Sequence, residues 1–114
     1  MDYNKIFIAW IIFVFSNIVI WYQVNGQLVW EFWKSPKGIV LSCLMGIPIS
    51  ALFLICTKLG YDGFGTLWPV RFLGFATSMM TFPIMTWLYL GETITLKTTV
   101  SIILSLVIII VQIL

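Results

Sequence analysis

Four apolar runs, over about residues 6–24, 36–57, 67–90 and 96–114, take up most of this 114-residue chain. A helix needs ~20 mostly apolar residues to cross a hydrocarbon core of ~30 Å, and each run is near that length. In lipid no water satisfies a free peptide group, so a run of this kind closes its hydrogen bonds internally, as a helix. Composition agrees. The chain is 61% hydrophobic and 9% charged, whereas soluble domains are about a quarter charged. The expectation is an all-α integral membrane protein with four transmembrane helices, a single domain over residues 1–114, in contact with the lipid bilayer.

Polar residues punctuate the runs. Lys5 precedes the first as an interfacial anchor, and Asn25-Gly26 reads as its end. That run is too long for the apolar part of a cleavable signal, and further spans follow it. Ser35-Pro36 opens the second, with serine at the N-cap and proline at the first helical position. Lys58 to Gly65, with Gly60, Gly63 and Gly65, reads as a turn. Pro69 stands in the first turn of the third run, Pro83 in its interior, and the fourth begins at about Leu96. In the first connector, Gln27 to Lys34, the rings of Trp30, Phe32 and Trp33 stand beside Glu31 and Lys34. Half-apolar rings suit the headgroup zone. An aromatic belt and a surface for docking a partner are both open here.

Several functions are excluded by what the chain lacks. It has no histidine, and its four acids, Asp2, Glu31, Asp62 and Glu92, all lie near span ends. With no paired carboxylates, Cys–His pair or phosphate-binding loop, no catalytic constellation, cofactor site or metal site is expected. Cys43 and Cys56 share one run. Their separation along a helix is ~20 Å, beyond disulfide reach, so both read as small packing residues. A net charge of +2 gives no footprint for nucleic acid. Lys5, Lys58 and Arg71 fall on one side of the membrane and Lys34, Lys37 and Lys97 on the other, so the basic residues set no orientation.

Small residues mark helix contacts. Gly38, Ser42, Gly46 and Ser50 recur every four residues in the second span, a stripe that lets another backbone approach closely in lipid. Gly46 and Pro48 favour a bend there. Gly74 and Ser78, beside Thr77 and Thr81, do the same in span three, and Ser101 and Ser105 in span four. Arg71 has two readings. One turn into its helix it can snorkel to the headgroups; turned inward it marks a functional cavity, with an anionic ligand or lipid headgroup as counter-charge. Asn17 also has two. It shares a face with Trp10, Phe13, Ile20, Trp21 and Val24, where it lines a cavity, or it bridges to a hydroxyl on a neighbouring helix.

The stretch Trp87-Leu88-Tyr89-Leu90-Gly91-Glu92-Thr93-Ile94-Thr95-Leu96-Lys97 puts an acidic turn, Gly91-Glu92 with Thr95, before the last span. In this the chain resembles the drug/metabolite transporter superfamily, and among its four-span branches the small multidrug resistance family. It resembles rather more an uncharacterised family of four-span membrane proteins of similar length, through Ser16-Asn17 followed by Trp21-Tyr22, Gly60-Tyr61-Asp62-Gly63-Phe64 before span three, and Arg71 within it. Proton-coupled members of the small multidrug resistance family carry a glutamate in the middle of span one. This chain reads Val14-Phe15-Ser16-Asn17 there. An amide does not titrate, so glutamate-based proton exchange does not carry over.

The resemblance implies a transporter rather than an enzyme, without cofactor, in a bacterial inner (plasma) membrane. It implies a homodimer, with an antiparallel arrangement open to it. The substrate would be a small or lipid-linked molecule, met by Asn17, Ser16, Trp10, Trp21, Arg71 and Ser78. An accessory subunit or scaffold of a larger membrane complex is the competing expectation.

Overall fold

A computed structural model describes all of residues 1–114 and is entirely helical: α1 (Tyr3–Val29), α2 (Glu31–Lys34), α3 (Pro36–Phe64), α4 (Trp68–Leu90) and α5 (Leu96–Ile113). All but α2 are long and apolar enough to cross a membrane. Only 18 of 114 residues are buried, and the exposed remainder carries Ile47, Leu54 and Leu104 among many large apolar side chains. Such an exterior suits lipid, not water.

The helix ends follow from local chemistry. The Asp2 carboxylate accepts from the backbone N–H groups of Asn4 and Lys5 at 3.1 and 3.3 Å and starts α1. Ser35 caps α3 as its sequence predicts: the hydroxyl oxygen accepts from the Gly38 N–H at 3.2 Å, and Pro36 follows at the first position. Thr95 caps α5 in the same way, through the Thr98 N–H at 3.3 Å. Gly65 and Gly91 end α3 and α4 with φ of 83° and 70°, left-handed conformations that cost glycine nothing.

Two boundaries differ from expectation. The first helix does not stop at Asn25-Gly26 but runs to Val29. Gly26 is buried, and a Cβ there would lie 3.4 Å from the Trp33 indole. The second long helix likewise passes through Lys58–Gly63 to Phe64. A Cβ on Gly60 would meet Val70 Cγ1 at 3.0 Å, and one on Gly63 would meet Ile6 Cγ1 at 2.7 Å. An ion pair from Lys58 to Asp62, 3.0 Å long, spans one turn of the same extension. These glycines are points of close helix approach. The connector shortens to residues 65–67.

α1 packs between α3 and α4, and α5 packs on α4 alone. The order across the molecule is therefore α3–α1–α4–α5, a row 46 × 35 × 18 Å in extent. Asp2 N–H donates to Gly63 O at 2.8 Å, which sets the start of α1 beside the end of α3. The core, Ile6, Ala9, Phe13, Cys56, Val70 and Leu73, lies where α1, α3 and α4 converge. Further along, Gln23 Nε2 donates to the Ser42 carbonyl at 2.8 Å and ties α1 to α3.

The small-residue stripe of α3 holds only in part. Gly38 is buried against the backbone of Phe32 and Trp33, Ser42 takes the Gln23 bond, and Gly46 lies near the Gln23 amide. Ser50 is exposed. A step of four residues over-rotates by ~40°, so three steps carry Ser50 about a third of a turn off the line of Gly38. The buried line runs instead through Gly38, Ile49, Cys56, Gly60 and Gly63. The helix stays continuous through Pro48.

Candidate functional site

On one side of α1, α3 and α4 part and leave a groove of about 760 Å³. Phe13, Asn17 and Ile20 of α1 form its floor, and Phe53 and Thr57 of α3 one wall. Val70, Arg71, Gly74, Phe75 and Ser78 of α4 form the other, with Leu67 and Trp68 at the rim. Helical periodicity explains the α4 wall, because steps of three and four residues keep side chains on one face. Gly74 makes room for the floor: a Cβ there would sit 3.0 Å from Phe13 Cε1. A smaller recess of about 170 Å³ shares Asn17, Ile20 and Ser78 and extends the groove to Asn25, Thr81 and Phe82.

Asn17 donates from Nδ2 to its own helix, to Phe13 O at 2.8 Å, and its carbonyl oxygen has no partner in the chain. Of its two readings, Asn17 does not meet the second, since it makes no bridge to a neighbouring helix; the amide that ties two helices is Gln23, six residues on, which donates to a backbone carbonyl. Ser78 has no hydrogen-bond partner either. Its neighbours differ: the Thr77 and Thr81 hydroxyls donate to Leu73 O and Thr77 O at 2.7 and 2.8 Å.

Arg71 is exposed on the groove wall, and its guanidinium makes no ion pair or hydrogen bond within the chain. The acids at that end of the molecule are engaged: Asp62 with Lys58, and Asp2 as the α1 cap. No acidic residue lines the groove. It is an apolar, aromatic-walled cleft with one uncompensated cation and three free polar groups, the Asn17 carbonyl oxygen and the hydroxyls of Thr57 and Ser78.

The other expected site residues lie elsewhere. Ser16 is fully buried, donates to Ile12 O at 2.7 Å and does not reach the groove. Adjacent residues on a helix point ~100° apart, so Ser16 and Asn17 cannot share a face. Trp10 packs on the core and against Phe7, ring centroids 6.3 Å apart, with its buried indole N–H unpartnered. Trp21 borders the smaller recess, but it is buried and its indole donates to Thr86 Oγ1 at 3.2 Å. Its ring also packs against Tyr22 and Tyr89, at 5.8 and 5.3 Å. With Trp30 completing the cluster and the Tyr22 and Tyr89 hydroxyls paired, these rings clamp α1 to α4 at the end away from Arg71.

Sequence reasoning missed Phe53, Thr57, Leu67, Trp68 and Val70 as lining residues, and Asn25 in the recess. Thr57 carried a signal, as a hydroxyl ending an apolar run. Asn25 was obscured by its place beside Gly26. No cluster of acids and cysteines suited to holding a metal occurs. No protein-family model, curated protein or solved structure matches this chain.

Proposed function

We propose that this chain is a small membrane transporter of the drug/metabolite transporter type that moves a small or lipid-linked substrate through the α1–α3–α4 groove. The supporting observation is the groove, in which the Arg71 guanidinium, the Asn17 carbonyl oxygen and the Thr57 and Ser78 hydroxyls have no partner within the chain. Unsatisfied polar groups at membrane depth are costly unless water or a ligand meets them. Proton exchange on a groove carboxylate has no group to act through, because no acid lines the cleft. The working unit is a homodimer in a bacterial inner membrane: α5 packs on α4 alone and leaves its outer face for a second copy. An antiparallel pairing accords with basic residues divided evenly between the two sides.

Solvent access tests this reading. In a background of Cys43→Ser and Cys56→Ala, single cysteines at Asn17 and Ser78 are expected to react with a water-soluble maleimide. One at Leu54, which is 73% exposed on the outer face of α3, should be shielded by lipid. Complete protection of Asn17 and Ser78 would reject the cavity and favour the accessory-subunit reading.

A further inference from the structure

We infer that the groove takes an anionic amphiphile, a lipid bearing a phosphate group, with the phosphate held by Arg71. The inference rests on the groove being a ligand site and goes further in naming the ligand class. Charge is the first argument. A guanidinium offers five donors in a planar fork that matches a phosphate, and none of those of Arg71 is used within the chain. The acids at that end, Asp2 and Asp62, are already engaged. The counter-charge must therefore come from outside the chain. A cationic ligand would meet an uncompensated like charge at the rim.

Shape is the second argument. Below Arg71 the cleft is lined by Phe13, Ile20, Phe53 and Phe75, which suit a hydrocarbon chain and offer nothing to a free inorganic anion. The cleft is partly open rather than enclosed, so a chain longer than the groove can pass out into the bilayer. Arg71 stands in the first turn of α4, at the end of its span, and Asn17 and Ser78 lie about two turns further in. A phosphate at the rim with its chain below reproduces the order of polar and apolar groups in a membrane lipid.

Native mass spectrometry of the purified protein, released from micelles containing dioleoyl phosphatidate and dioleoyl phosphatidylcholine, tests this. Bonds to a charged group support a preference for phosphatidate of about tenfold in the wild type. The preference should vanish in Arg71→Gln and survive in part in Arg71→Lys. Lys5→Gln removes a cation from the same end outside the groove and should leave it intact. Equal retention of the two lipids by wild type, an unchanged Arg71→Gln, or an equal loss in Lys5→Gln would each overturn the inference. So would displacement of phosphatidate by inorganic phosphate at comparable concentration. Circular dichroism and gel filtration of each variant confirm that a loss is not misfolding. Labelling at Asn17 and Ser78 without lipid preference would leave the cavity standing and reject this ligand; lipid preference without transbilayer movement would do the reverse for transport.

Discussion

Gly38 and Gly46 stand two turns apart on one sequence stripe, yet their surroundings are opposite. A Cβ on Gly38 would come within 2.7 Å of Trp33 Cα and closer still to the Phe32 carbonyl oxygen, so backbone would have to move. On Gly46 the nearest group is the Gln23 amide nitrogen at 3.5 Å, an ordinary contact. Overpacking of that kind costs roughly 1–3 kcal/mol, so Gly38→Ala is expected to destabilise the fold by that amount. Gly46→Ala should be neutral or stabilising by up to ~1 kcal/mol, since alanine is the better helix former. Unfolding in mixed micelles with rising dodecyl sulfate, followed by circular dichroism, measures both; equal costs would show that the stripe acts as one unit. The same distinction governs what was legible at the site. Asn17, Arg71 and Ser78, which all line the groove, each stand out within a single helix, as amide, cation and hydroxyl among apolar residues. Ser16 and Trp10 lie off the groove, because facing depends on which neighbours a helix packs against, and α1 lies between α3 and α4.

The four long helices were legible because apolar length is a property of the run alone, and the caps at Ser35 and Thr95 sit where local chemistry puts them. The helix ends at Val29 and Phe64 were not, since a glycine read alone signals a stop while a glycine under Trp33 or Val70 is a contact. The aromatic clamp was equally hidden, because Trp21 and Tyr22 meet Tyr89 only once α1 and α4 are side by side. That clamp joins α1 to α4 at the end away from Arg71. Interhelical hydrogen bonds in membranes average ~0.6 kcal/mol and reach ~1.7, so removing two loosens the pair without unfolding it. In Thr86→Val with Tyr89→Phe the rings remain, but the Trp21 indole bond and the hydroxyl pair are gone. Spin labels at Leu28 and Leu88, both exposed near that end, are expected to show a broadened distance distribution. Labels at Phe7 and Phe72, near the Arg71 end, should not change. Broadening at both ends would mean that the clamp holds the whole α1–α4 pair.

For the whole molecule the deciding quantity is how basic charge divides between the two ends of the helices. Lys5, Lys58 and Arg71 lie at one end and Lys34, Lys37 and Lys97 at the other, and each end has one lysine already paired, Lys58 with Asp62 and Lys34 with Glu31. The retention of positive charge on the cytoplasmic side therefore has nothing to act on. A reporter fused after Leu114 is expected to be found on both sides of the membrane; one side only would reject dual insertion. The cause can be tested as well as the outcome. Tyr61 and Thr66 are exposed at the Lys5 end, and lysine at both should hold that end in the cytoplasm. Thr93 and Ile94 are exposed at the opposite end, and the same change there should hold the molecule the other way up. If the working dimer is antiparallel, each biased variant alone loses the dimer, and coexpression of the two restores it. If the dimer is parallel, each variant dimerises alone and mixing adds nothing. That separation does not depend on knowing the substrate, because pairing is read from cross-linking and orientation from the reporter.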